Sequence, residues 1–328
     1  MGRKGLFLIR SPFQMLCALE AIRDFCLSDY TIWVITDGNL RVDQIKRICE
    51  RYSVSFKLIK FQVETEGSFA RLLSKALFAK DGHYDYVFVG DFREIEETLF
   101  SLTFTSKGAN IVYLDDGNVT ISLFSGTLSR SKKSIIKASL LRLIFAIKGH
   151  PTPTYYTIYS DYPTNLKTIS CSLQSIRYSN NSDLHNCFFV GTNSIEYINS
   201  VGIVRDKYLC NLRSVLKELK NNQISGEECY YIPHGADALN DIEGIVKQEG
   251  FHYLPISECV EFYFSKLDYI PRVIGGFGSS ALYTAKIMFP ESRVLNYQMI
   301  GSNDDFKNEL QAINQFYEQK GIENLIYG

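Results

Sequence analysis

Apolar residues fall into two patterns that take turns along the chain. "GLFLI" is a short continuous apolar run; after a turn at Ser11-Pro12, Leu16, Leu19 and Ile22 recur at helical spacing. "YTIWVITD" reads as the next strand, "VDQIKRICERY" as a polar helical segment, and "SFKLIKFQ" as a further strand. "YDYVFVGD" and "ANIVYLDDG" follow as apolar runs that end in acid. Strands that are apolar throughout, interleaved with helices, predict a parallel sheet covered on both faces. This α/β pattern extends from the N-terminus to about residue 120.

The middle is less regular. "SKKSIIKASLLRLIFAIKGHP" places Ile136, Leu140, Leu143, Ile144 and Ile147 on one helical stripe, with Lys132, Lys133, Lys137, Arg142 and Lys148 as a basic flank. Such a helix packs on its own domain, or rests on an anionic membrane surface or an acidic acceptor. "HPTPTYYTIYSDYP" reads as a loop with a strand inside it.

A second α/β series starts near "CFFVGTNSIE" and runs through "ECYYIPHG", "FHYLPIS", "PRVIGGFGSSALYTAKIMFP" and "SRVLNY". A boundary near residue 185, in the polar stretch "RYSNNSDLHN", divides the chain into domains 1–185 and 186–328. "DDFKNELQAINQFYEQKG" is a helix with a Gly stop, placed to pack back on the first domain. Two doubly wound domains facing a central cleft would present the carboxyl ends of both sheets to a ligand.

Bulk properties narrow the function. The 328 residues suit two domains, and 45% hydrophobic with 22% charged residues is an ordinary globular mixture. A formal charge of -1 gives no general reason to expect a nucleic-acid partner. The 21 Tyr and 22 Phe are read mainly as core and strand filling, although tyrosine also suits sugar-binding clefts. The eight cysteines are scattered without C-x-x-C or zinc-finger spacing, which predicts a reducing compartment and no structural metal. "GLFLI" meets Arg10 after five apolar residues, unlike a secretory signal, and no uninterrupted apolar stretch reaches the length of a membrane span, so the expected protein is cytoplasmic, with peripheral membrane contact left open.

Three stretches carry candidate chemistry. Asp115, Asp116 and Gly117 end an apolar strand; adjacent carboxylates repel, which raises the pKa of one as a general base requires, although Asp-Asp-Gly is also turn chemistry. "VIGGFGSSALYTAKIMF" is a strand, a glycine-rich turn and a helix opening at Ser279 or Ser280, where hydroxyls and the helix terminus favour an anion and Gly278 permits close approach. It is neither the dinucleotide fingerprint nor a Walker loop. His234, between Pro233 and Gly235 at a strand tip, could donate a proton to a leaving phosphate oxygen there. Glu258 follows another strand, placed to accept bonds from ribose hydroxyls. Ser11, Gln14 and Gly191 also follow apolar runs and count, with Gly117, Pro233 and Gly235, as near-site candidates.

In this order, "DDG", "PHG" and "GSSAL" resemble the motifs of bacterial sialyltransferases with the GT-B fold. "RSPFQMLCALEAI" and "YIPHG…LPISE…VIGGFGSSAL" look most like glycosyltransferase family 52, whose members sialylate lipooligosaccharide and O-antigen. The resemblance spans most of the chain, thinly over residues 125–185, and departs at Gly235, where the family usually has Pro after the histidine. It implies inverting transfer from CMP-sialic acid, or a related nonulosonic acid, to a sugar hydroxyl of an oligosaccharide or glycolipid acceptor. Galactose is the expected acceptor sugar. Asp115 would be the base, with Asp116 the second possibility; His234 would be the acid, Ser279 and Ser280 would hold the phosphate, and Glu258 the ribose. A CMP-linked donor leaves with one phosphate, so no cofactor and no metal is expected, and the chain has no D-x-D. The resemblance leaves contact with the anionic inner membrane and a homodimer open. Two other readings compete: a GT-B transferase using a UDP- or GDP-hexose, and a non-catalytic sugar-nucleotide-binding assembly subunit.

Overall fold

A computed structural model describes residues 2–35, 39–59, 69–79, 82–128, 131–176, 183–237 and 239–327. The chain divides into two compact units. The first holds residues up to Phe124 and Leu128–Ser175; the second holds Ile176 onward, with Ser125–Thr127 grouped with it.

In the first unit, β1 (Arg3–Ile9), β2 (Leu27–Ile35), β3 (Lys57–Ile59), β4 (Tyr84–Val89), β5 (Thr105–Leu114), β6 (Thr154–Thr157) and β7 (Thr168–Ser170) form one sheet. Its order is β3-β2-β1-β4-β5-β6-β7, and all the pairings are parallel. Leu6–Ile9 and Val87–Val89 are fully buried, as strands covered on both faces must be. Parallel strands need crossovers, and helices such as Pro12–Asp24, Phe69–Phe78 and Ile95–Ser101 supply them. Pro12–Asp24 starts where Ser11 and Gln14 form a reciprocal capping box with Pro in the first turn.

The second unit contains β8 (Leu184–Val190), β9 (Cys229–Ile232), β10 (His252–Tyr253), β11 (Ile270–Gly276), β12 (Arg293–Met299) and β13 (Glu323–Tyr327). Their order is β10-β9-β8-β11-β12-β13, again parallel throughout. Tyr208, Tyr231 and Tyr297 are fully buried in its core, so these tyrosines are packing groups. Both sheets carry the expected α/β architecture.

Three expectations change. The boundary stretch lies partly outside the described residues; β8 begins at Leu184, and the partition falls between Ser175 and Ile176. Helix Asp304–Gln319 belongs to the second unit, where it packs on helix Ser194–Val201 and on β13. The helix Lys132–Lys148 exists, but Leu141, Ile144 and Phe145 face the core, whereas Ile136, Leu143 and Ile147 are 62%, 55% and 60% exposed. Of the predicted stripe only Ile144 is buried, because the helix carries a second apolar face one-third of a turn or more away. Lys137 is spent on Glu96 and Lys148 on the Ala79 carbonyl; Lys132, Lys133 and Arg142 are exposed.

Candidate active site

In the first unit, Leu8, Val89, Tyr113 and Tyr155 lie side by side on β1, β4, β5 and β6. The residues just beyond them therefore share one edge of the sheet: Arg10 and Ser11, Gly90 and Asp91, then Asp115 and Asp116. Successive residues at a strand end point in opposite directions, and the two carboxylates meet different surroundings.

Asp115 has no solvent exposure. Thr120 Oγ1 donates to its Oδ1 at 2.8 Å, while Thr157 Oγ1 and the Ile158 N–H donate to Oδ2 at 2.7 and 2.8 Å. Burial pushes its pKa up to about 6, against these three hydrogen bonds, which favour the carboxylate. Its partners tie β5 to the end of β6.

The Asp116 side chain is 20% exposed. Gln14 Nε2 donates to its Oδ1 at 3.0 Å, and Arg93 donates to its Oδ2 at 2.5 Å. Gln14 is itself fixed: Oε1 accepts from the Arg10 N–H at 2.8 Å and Nε2 also donates to the Gly90 carbonyl at 2.8 Å. Arg93 is clamped to Asp91 by bonds of 2.9 Å from Nε and 2.7 Å from its terminal nitrogen. Burial and then the Asp91 charge push the Asp116 pKa up to about 7, against the pull of Arg93. A carboxylate with that affinity can take a proton from a hydroxyl near neutral pH. Gly117 turns the chain away with a φ of 68°.

Arg10, Asp91, Arg93 and Glu97 complete this edge and were not singled out in the sequence. Arg10 Nε donates to the fully buried Glu97 at 2.5 Å. Burial pushes the Glu97 carboxyl up to about 7 despite Arg10. The pattern that selected Asp115 and Asp116, an apolar stretch ending in acid, also marks Asp91 at the end of "YDYVFVGD".

In the second unit, Val190 pairs with Ile232 on one side and with Gly276 on the other. Gly191, Pro233–His234 and Gly278–Ser280 therefore emerge at one sheet edge, from three adjacent strands. His234 and the serines are two strands apart, roughly 10 Å in the hydrogen-bonding direction. A Cβ on Gly191 would stand 2.8 Å from the Tyr231 hydroxyl and 3.2 Å from the His234 nitrogen, so glycine lets the two strand ends close up.

His234 is exposed, and its Nδ1 accepts the Ala236 N–H at 3.2 Å. With Nδ1 accepting, the tautomer assigned to the ring carries its proton on Nε2. Its turn through Gly235 is held by the Asp237 N–H on the His234 carbonyl at 2.9 Å, and Ser194 donates to the Asp237 carboxylate.

Gly278 has a φ of 58° and donates its N–H to Asn296 Oδ1 at 2.9 Å. Ser279 and Ser280 are half-buried at the start of helix Ala281–Met288. Ser279 Oγ accepts the Ala281 N–H at 3.3 Å, while Ser280 makes no side-chain cap. Glu258 lies beyond β10, its carboxylate paired with Lys266. Among the described residues no group of His, Cys, Asp and Glu side chains is placed to hold a metal ion.

No protein-family model and no curated protein matches the sequence. Similarity to solved structures defines the class of fold: two parallel-strand sheets with interleaved helices, the GT-B arrangement. The galactoside α-2,3-sialyltransferase of Photobacterium phosphoreum is 13% identical, with a TM-score of 0.57 over 99% of this chain and 98% of that one. The GT-B domain of a Photobacterium damselae sialyltransferase is 16% identical, with a TM-score of 0.54 over 99% of this chain and all of that one, 100%. A putative UDP-N-acetylglucosamine 2-epimerase of Listeria monocytogenes is 9% identical, with a TM-score of 0.51 over 98% and 90%. At such identities the likeness establishes the fold alone.

Proposed function

We propose that the protein is an inverting, metal-independent sialyltransferase that moves sialic acid, or a related nonulosonic acid, from a CMP-sugar to a sugar hydroxyl of a surface glycan. The observation that carries this reading is Asp116: a partly exposed carboxylate at a strand end, oriented by Gln14 and Arg93, with its pKa raised to about 7. That is the equipment needed to deprotonate an alcohol as it attacks. The ordered likeness of "DDG", "PHG" and "GSSAL" to sialyltransferase motifs supports the donor; the fold, shared with two sialyltransferases and equally with a UDP-N-acetylglucosamine 2-epimerase, supports the nucleotide-sugar class and not the choice within it.

In this reading the acceptor oxygen bonds to the anomeric carbon of the donor as the bond to the CMP oxygen breaks, and Asp116 takes the hydroxyl proton. Asp115, the base expected from the resemblance, becomes the group that holds the strand end in shape, because solvent does not reach it. His234 Nε2–H and the hydroxyls of Ser279 and Ser280 stabilise the departing phosphate. In this reading these donors and a helix terminus balance the one phosphate, so the proposed reaction uses no metal. Glu258 is the ribose ligand of the family pattern; here it would have to leave Lys266 or be shared with it.

No helix among the described residues is long and apolar enough to cross a membrane. The exposed stripe Ile136, Leu143 and Ile147, flanked by Lys132, Lys133 and Arg142, fits an anionic lipid surface, which would place the enzyme peripherally on the inner membrane. The donor test is calorimetric. CMP should bind at least tenfold tighter than UDP or GDP, and CMP-sialic acid should support transfer to galactosides. Preference for UDP would replace this reading with a hexosyltransferase, and nucleotide binding without any transfer would indicate the assembly subunit.

A further inference from the structure

A cavity of about 350 Å³ lies in the first unit between helix Lys132–Lys148 and the ends of β4, β5 and β6. Its walls are mainly apolar: Phe92, Tyr113, Phe145 and Tyr155 supply rings, with Leu141 and Ala138 on the helix side. Three of the rings already pack on one another, Phe92 on Tyr113 and on Tyr155 at 6.4 and 6.1 Å, and Tyr113 on Tyr155 at 5.3 Å. The wall is thus held by its own contacts and does not collapse inward.

The polar lining is specific. Arg93 is the same side chain that binds Asp91 and Asp116, so one end of the cavity adjoins the proposed base. Arg142 is on the wall too, and Ser131 Oγ is spent on the Ser134 N–H. The size falls at the small end of ligand pockets, whose pattern is an apolar body with a few converging polar groups.

We propose that this cavity receives the apolar aglycone of the acceptor, a hydrocarbon chain joined to the sugar whose hydroxyl reaches Asp116. The volume suits a chain of roughly ten carbon atoms, at about the volume of a water molecule for each. The sugar end rests on the function proposed above; the chain end rests on the cavity alone.

The test compares methyl and n-octyl β-galactosides by calorimetry on the intact chain. Each buried methylene strengthens binding by about fourfold, so burying even three gives a gain of about sixtyfold for the octyl compound. Ala138→Phe fills the cavity from the helix side and should reduce that gain to threefold or less, with methyl galactoside and CMP binding unchanged. Leu166→Trp, at the half-exposed rim, is the second variant should the first fail to fold. Equal affinities for the two galactosides, or an octyl gain that survives both substitutions, overturns the proposal. Transfer from CMP-sialic acid to methyl galactoside reads out the catalytic reading separately. If that transfer proceeds without a chain preference, the aglycone site alone fails. A chain preference without CMP binding removes the sialyltransferase and keeps the site.

Discussion

Replacing Asp116 by Asn tests the reaction at its centre, because the substitution removes the charge and nearly preserves the shape. Asn can still accept the Gln14 bond through its oxygen. Its amide then faces Arg93, a donor against donors, and the group cannot accept a proton. Loss of a positioned general base costs about 10²–10⁴-fold, or roughly 3–5 kcal/mol of barrier, in turnover. CMP affinity should stay within twofold, since the proposed nucleotide ligands are all in the other unit. In the unmodified protein, Asp116 is protonated below its pKa of about 7 and ionised above it. A base must be ionised, so kcat/KM should fall tenfold per pH unit below about 7 and level off above. Asp115→Asn is the control: its oxygen can serve Thr157 and Ile158 while the Thr120 hydroxyl rotates to accept from the new amide. That variant should keep turnover within about fivefold, short of the tenfold that 1.4 kcal/mol represents. The assay is initial-rate transfer from a CMP-sugar, with a melting curve on each variant. A well-folded Asp115→Asn that loses a hundredfold, beside a nearly active Asp116→Asn, would exchange the two roles and refute the geometric reasoning.

Arg93→Gln withdraws the cation that keeps Asp116 ionised, so the acid limb of the pH profile should move upward by about one unit, with activity recovering at high pH. A profile left in place would mean that Asp116 is not the titrating group. His234→Ala should lower transfer by about 10²-fold and CMP affinity by less than fivefold, because its hydrogen bond strengthens as the leaving oxygen gains charge; equal losses would reduce it to a binding residue. For the exposed helical stripe, the double substitution Ile136→Ser and Ile147→Ser should abolish flotation with phosphatidylglycerol liposomes. In the unmodified protein high salt should weaken that binding by up to about a hundredfold, at about 1 kcal/mol for each of Lys132, Lys133 and Arg142. Binding to neutral liposomes of the same strength would remove the electrostatic part of the argument.

The strands were readable because parallel sheets leave a mark that survives without context: "GLFLI", "YVFV" and "CFFV" are apolar at every position, and each is a buried strand. β7 and β13 escaped because edge strands are covered less; Ile169 is 38% and Ile326 70% exposed, so their residues need not be uniformly apolar. The helix Lys132–Lys148 shows a different limit. Periodicity located one apolar stripe, but nothing in a spacing says which of two apolar faces meets the sheet, and Leu141 with Phe145 took that place. Which of Asp115 and Asp116 is closed off from solvent was hidden for a related reason. Neighbouring residues at a strand end point to opposite sides, and only the packing of Thr120 and Thr157 decides which side is closed.

On the proposed function, the second sheet also bears on the donor. The register aligns Val190, Ile232 and Gly276, so the histidine turn and the serine turn flank the end of β8, and Gly191 keeps that end from standing between them. The gap across two strands is roughly 10 Å, a span that side chains from both turns can bridge through a single phosphate. In the proposed reaction two serines, the His234 Nε2–H and one helix terminus balance a single phosphate, and the leaving group is a nucleoside monophosphate. Competitive binding of CMP against CDP tests that step: a preference for CDP of tenfold or more would mean that the edge is built for two phosphates, and with it the choice of donor would fall.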